Sequence, residues 1–145
     1  MLKTILTSGA ALVALGLGAA AQAETVTVTL TGVEARGGQI LATLQTEADF
    51  MQPRGTASVI VQAPAQPGPV TITFDVPAGA YAFSAFHDAN SDYEMQREAN
   101  GYPQEGWAMS NGASLRAEPT FGQVSFTVGV APVALSEPMI YPRGQ

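Results

Sequence analysis

Beyond residue 24 the chain alternates. Val26, Val28 and Leu30 fall between Thr25, Thr27, Thr29 and Thr31. That period of two puts apolar side chains on one face of a strand and hydroxyls on the other. Residues 24–31 are therefore read as a half-buried strand. Arg36-Gly37-Gly38 supplies turn chemistry. A second strand follows over residues 39–46, with Ile40, Ala42 and Leu44 in one phase and Leu41 out of it. Residues 47–54 carry Phe50 and Met51 and stop at Pro53, as a helical turn or a loop that plugs an end of the core would. Strands return at 57–62, 70–76 and 81–86, separated by the PAQPGP segment at 64–69 and by Pro77-Ala78-Gly79-Ala80. In that second turn proline presets φ and glycine accepts positive φ. Val124, Phe126, Val128 and Val130 alternate again. Residues 133–141 make a weaker last strand, which Pro138 assigns to an edge or a fraying end.

Six or seven short strands, turn signals between them and no long helical period predict an all-β fold, an antiparallel β-sandwich. Residues 24–145 form its single domain. From Asp88 to Phe121 no period is legible, so this stretch is expected to be one long loop excursion. Long loops of this kind often carry function.

The first 23 residues have a different pattern. Lys3 precedes an apolar run that is densest at residues 10–21, and Ala21-Gln22-Ala23 is an A-x-A cleavage signal. Residues 1–23 read as a secretory signal peptide, which places the protein in the periplasm or outside the cell. The run is short for a membrane anchor and carries Thr, Ser and Gly early, so no span is expected after cleavage.

Composition then removes whole classes of chemistry. The 145 residues include no Cys and one His, with 6 basic against 12 acidic residues. Disulfides, thiol nucleophiles and cysteine zinc sites are excluded, as is any centre built on several imidazoles. Lys3 is the chain's one lysine and departs with the signal, so Schiff-base and P-loop lysine chemistry is absent. A sequence pI near 4.5 argues against nucleic acid and against docking on anionic headgroups.

The excursion opens with the most informative stretch, Phe86-His87-Asp88-Ala89-Asn90-Ser91-Asp92-Tyr93-Glu94. Asp88, Asn90 and Asp92 stand at alternate positions, with Glu94 next and Glu98 nearby. D-x-N-x-D is the opening of a calcium loop, since Ca²⁺ takes six to eight oxygens from such alternate side chains and from backbone carbonyls. The sixth position, however, is Tyr93 instead of glycine, and the twelfth is Ala99 instead of a bidentate Glu. The competing reading is an Asx-rich turn without metal. His87 and Asp88 point to opposite faces of a strand, so they cannot pair as base and orienter. His87 shares its face with Tyr81, Phe83 and Ala85 and is expected to close the end of the core with one or two hydrogen bonds. Tyr93, Tyr102 and Trp107 gather aromatics that either bind a sugar or protein partner or pack the loop onto its own sandwich. Asn100-Gly101 and Asn111-Gly112 are tight-turn dipeptides.

These residues resemble a known family. Val76-Pro77-Ala78-Gly79-Ala80-Tyr81, then the Phe86 to Asp92 stretch, then Gly101-Tyr102-Pro103-Gln104-Glu105-Gly106-Trp107 and Ser110-Asn111 are similar to the exported bacterial domain of unknown function 2141. The resemblance runs through most of the chain and fades after Val130. It implies an immunoglobulin-like or transthyretin-like sandwich outside the cytoplasm, and it implies no activity. His87, Asp88, Asn90, Pro103, Glu105, Gly106, Ser110 and Asn111 fall on the recurrent polar and turn positions. This chain departs from the family at Tyr93, where glycine is usual, and at Gln96, where a further Asp is usual.

The sequence thus offers two residue sets. His87, Tyr102, Glu105, Trp107, Ser110 and Asn111 form the ligand-binding set. Asp88, Asn90, Asp92, Glu94 and Glu98 form the calcium set. The functional expectation is an exported, non-catalytic binding or accessory module for a protein or glycan. The alternative is a carboxylate-based hydrolase of envelope or extracellular glycans, in which two acids about 5–9.5 Å apart would cleave a glycosidic bond.

Overall fold

The computed structural model describes residues 21–143. Most of the expected signal peptide, residues 1–20, lies outside them. Eight strands follow in order: β1 (Ala23–Val33), β2 (Gln39–Gln45), β3 (Ala57–Gln62), β4 (Gly68–Pro77), β5 (Gly79–Asp88), β6 (Gly106–Met109), β7 (Ser125–Val128) and β8 (Val133–Pro138). They form two sheets. One has the order β4-β1-β8. The other has the order β3-β2-β5-β6, with β7 also paired to β5. The result is an all-β sandwich. All pairs are antiparallel except β1–β8, which run parallel with Val28 opposite Leu135. Among the described residues no helix is long and apolar enough to cross a membrane.

The alternation read from sequence is what builds the core. Val26, Val28 and Leu30 of β1 and Ile72, Phe74 and Val76 of β4 are buried on one inner face. Ile40 and Leu44 of β2 and Tyr81, Phe83 and Ala85 of β5 are buried on the other. Phe74 meets Phe83 edge to face across the gap, with ring centroids 6.2 Å apart, a favoured aromatic geometry. Glu47–Asp49 forms a single 3-10 turn after β2, and Phe50 beyond it packs edge to face on Phe121. Pro138 ends β8, one of the two edge strands of its sheet.

Three local differences from the sequence expectation bear on the site. Gly79 does not take positive φ; its turn is closed by the Tyr81 hydroxyl, which donates to the Pro77 carbonyl at 2.9 Å. The final alternation is shifted: Val124 ends a short helix, α1 (Phe121–Val124), and Val130 lies in solvent beyond β7. The excursion also contains a strand, β6. Its core-facing residues are Gly106 and Ala108, so no run of large apolar residues announces it.

β6 and β7 share one side of β5, β6 pairing with Ser84–His87 and β7 with Gly79–Ala82. Ser110 spans the break between them. Its N–H donates to the Phe83 carbonyl, and its hydroxyl accepts from the Phe83 N–H and donates to the Val124 carbonyl.

Candidate functional site

The end of β5 sends adjacent side chains in opposite directions. His87 points inward and is buried. Its Nε2 is 2.8 Å from the Gly37 carbonyl, and its Nδ1 is 2.7 Å from the Tyr141 hydroxyl. A carbonyl only accepts, so Nε2 carries the proton, and the Tyr141 hydroxyl donates to Nδ1. The Tyr141 oxygen in turn accepts the Glu34 N–H at 3.0 Å. Arg36 lies over the Tyr141 ring, 4.5 Å from its centroid, and Arg36 pairs with Glu34. Burial pushes the Tyr141 phenol above its ordinary pKa. The histidine is therefore a fully bonded closure of the core, as its strand phase predicts.

Tyr141 was not among the residues singled out from sequence. It belongs to a strap that joins the two sheets. Met139 N–H donates to Thr31 of β1, and Ile140 exchanges two hydrogen bonds with Trp107 of β6. A Cβ on Gly106 would overlap the Tyr141 ring. The one available signal was the pairing of a glycine in β6 with a late tyrosine, which no local period connects.

Asp88 points the other way and is also buried. Its Oδ2 accepts from Gln39 Nε2 at 2.9 Å and from the Tyr93 N–H at 3.0 Å; its Oδ1 accepts from the Asp92 N–H at 3.0 Å. Asp92 repeats the device outside. Its Oδ1 accepts from the Glu94 N–H, and its Oδ2 accepts from the Asn90 and Gln96 side-chain amides. The Glu94 N–H, followed by the Asn90 amide, holds the Asp92 carboxyl below its ordinary pKa. Glu105 fastens the excursion to itself, accepting from Ala89 N–H and Gln96 N–H, both at 3.3 Å. Burial raises its pKa. Gly38 makes the loop's entry possible: it has φ +69°, and a Cβ there would collide with the Asp88 carbonyl and Ala89.

The sequence-selected residues therefore separate into five places. Asp88, Asn90, Asp92 and Glu105 come together in the turn system of residues 88–105. Tyr102 and Glu98 lie in the neighbouring hairpin, where Arg97 and Pro103 bridge and Glu98 N–H donates to the Tyr102 carbonyl. His87 belongs to the strap. Ser110 is the buried β5 clamp, and Asn111, at φ 57°, bonds Gln123 and Glu137. Trp107 stands on the outer face of the five-stranded sheet opposite Phe86.

The donor set does not fit calcium. A cation needs convergent oxygens with free lone pairs, whereas in this turn system backbone and amide N–H groups point at the Asp88 and Asp92 carboxylates. Among the described residues no three acidic or His side chains gather as metal ligands. The geometry is that of successive Asx turns. What the excursion does display is aromatic: Tyr93 is 62% exposed and Tyr102 48%.

Residues 28–135 match the family model described as an uncharacterized protein conserved in bacteria, DUF2141. The chain belongs to this family. The DUF2141 match takes in the whole Asp88–Asp92–Glu105 turn system and stops before Met139, so the strap that completes the His87 environment is outside the matched span. Searches of the curated proteins and of the solved structures yield no match.

Proposed function

We infer that this DUF2141 protein is an exported, non-catalytic binding module of the bacterial envelope or its exterior, and that residues 88–105 present Tyr93 and Tyr102 to a protein or glycan. The leader pattern of residues 1–23 supports export. One observation carries the binding reading: Tyr93 is held at φ 65° while its ring stands in solvent. A bulky residue in the left-handed region costs on the order of 1–3 kcal/mol and persists where surrounding structure imposes it. Here the imposing contact is the Tyr93 N–H on the buried Asp88 carboxylate. A tyrosine fixed at its backbone and free at its ring loses little entropy on binding.

The same contacts weigh against the hydrolase alternative. General acid–base chemistry needs carboxyls that can reach a substrate. Asp88 is buried with three N–H donors, and both Glu105 oxygens hold backbone N–H groups.

The test compares retention of wild type and a Tyr93→Ser/Tyr102→Ser variant on isolated cell envelopes. Loss of retention at unchanged Tm supports the reading. Equal retention of the two proteins removes the tyrosines from binding.

A further inference from the structure

The strap over residues 139–141 is fastened through a hydrogen-bond chain that tolerates only one protonation state of His87. The Tyr141 hydroxyl donates to His87 Nδ1 and its oxygen accepts the Glu34 N–H. His87 Nε2 already donates to the Gly37 carbonyl. Nδ1 is therefore where the imidazole takes up a second proton, and both ring nitrogens are then donors. Three protons converge on the Tyr141 oxygen in that state: its own, the Glu34 N–H and the new Nδ1–H. The phenol proton has lost its acceptor. Burial keeps the phenol above its ordinary pKa, so Tyr141 remains a donor across the range in which a histidine changes charge.

The surroundings give the new charge little support. His87 is 1% exposed, so water does not solvate it in the closed form. In register, its neighbours are Ile40 on β2 and Gly106 on β6. Glu34 and Arg36, in the turn after β1, are the nearest charged side chains. The Glu34 carboxylate is 2.6 Å from Arg36 Nε, and Arg36 lies over the Tyr141 ring, so the two charges offset one another beside the imidazole. Asp88 points to the other face of β5 and is bonded there by Gln39 and two backbone N–H groups. Glu137, two residues before the strap, accepts the Asn111 N–H, and Arg143 beyond the strap is exposed. A buried charge without a paired partner is costly.

We propose that the Met139–Tyr141 strap is an acid-released latch, which opens when His87 Nδ1 takes up a proton. Opening lifts the Tyr141 ring off Gly106, where the two now touch. It also parts Ile140 from Trp107 and Met139 from Thr31. The imidazolium then reaches water, and the equilibrium shifts toward the state that binds the extra proton as pH falls. The sandwich itself stays closed, because the β1–β4, β2–β3 and β2–β5 ladders contain no strap residue. What changes is the end of the core beside β6, which is covered at neutral pH and open in acid. The latch is independent of the tyrosines at 93 and 102 and of any ligand they hold.

The chain holds one histidine and one tryptophan, so the proton and the strap can be followed separately in the unmodified protein. NMR of the imidazole reads the first, and Trp107 emission reads the second through its two bonds to Ile140. The two titrations should share a midpoint. Amide exchange, expressed as protection factors, locates the change. Between pH 8 and pH 5 protection at Trp107, Met139 and Ile140 should fall about tenfold or more, as expected when a buried polar group loses its partner. Protection at Val28 in the central strand β1 should hold. His87→Gln offers an amide donor to Gly37 and an amide oxygen to Tyr141 without titrating, and should keep the strap protected at both pH values. An imidazole that titrates while Trp107 emission and strap protection stay constant overturns the latch. So does a loss of protection that Val28 shares, which would be general acid loosening, and so does a pH response that His87→Gln retains, which would assign it to a carboxyl group such as Glu137. If His87→Gln does not fold, the coincidence of the two wild-type midpoints decides alone, and separate midpoints overturn the proposal.

Discussion

Tyr141 donates its hydroxyl to His87 Nδ1 at 2.7 Å while its oxygen accepts the Glu34 N–H, so one phenol group completes two elements at once. Tyr141→Phe keeps the ring against Gly106 and removes only the oxygen. His87 Nδ1 then loses its donor and Glu34 N–H its acceptor. Leaving the buried His87 Nδ1 unmet costs about 1–3 kcal/mol, whereas the exposed Glu34 N–H turns to water; each kcal/mol moves the Tm of a domain this size by a few degrees. Thermal unfolding followed by circular dichroism should show the drop. An unchanged Tm would mean that water replaces the phenol without loss.

Two adjacent glycines separate backbone strain from collision. Gly37 and Gly38 both have positive φ, at 74° and 69°. A Cβ at Gly37 meets nothing within 4 Å, whereas one at Gly38 strikes the Asp88 carbonyl and Ala89. Gly37→Ala should therefore cost about 1–2 kcal/mol, the left-handed penalty alone. Gly38→Ala should cost clearly more and loosen the excursion as well. Denaturant unfolding ranks the two, and hydrogen exchange at Asp92 and Tyr93 reads the loop. Equal costs would sink the claim that β2 and the loop entry are in contact at Gly38.

How much of this could be read in advance follows from where the large side chains sit. β1, β4 and β5 alternate large apolar residues with polar or small ones, and their spans were legible to within a few residues. β6 was hidden because its inward positions are Gly106 and Ala108; the space over Gly106 is filled by Tyr141 from the far end of the chain. The inward turn of His87 was legible from strand phase, but its partner was not, because contacts between distant segments leave no local period. The D-x-N-x-D spacing correctly marked a folded oxygen-rich turn. It could not tell whether those oxygens would face a cation or backbone N–H groups, and Tyr93 in place of glycine was the clue that favoured the second.

Calcium offers a direct check on that distinction. A ligand that binds only the folded state stabilises by RT ln(1 + [L]/Kd), roughly 2.7 kcal/mol at a hundredfold excess over Kd. With the Asp88 and Asp92 oxygens already accepting N–H donors, millimolar CaCl₂ and excess chelator should give superimposable melting curves. A Tm that rises with calcium and falls with Asp92→Asn would restore the metal site.

The turn system also carries opposed pH dependences. Asp92 has a lowered pKa, set first by the Glu94 N–H. Its contribution is therefore present above the unfolded carboxyl range and is lost as pH falls through the folded value. Glu105 has a raised pKa, set first by burial. Its contribution is present below the unfolded value and is lost as pH rises through the folded one. The Tm advantage of wild type over Asp92→Asn should thus be largest near neutrality and close below about pH 4. The comparison with Glu105→Gln should run the other way, with wild type gaining on the variant as pH drops. Melting curves of the three proteins across the acid range decide it. Parallel Tm profiles would show that neither carboxyl is coupled to folding, and that the loop is held by its backbone turns instead.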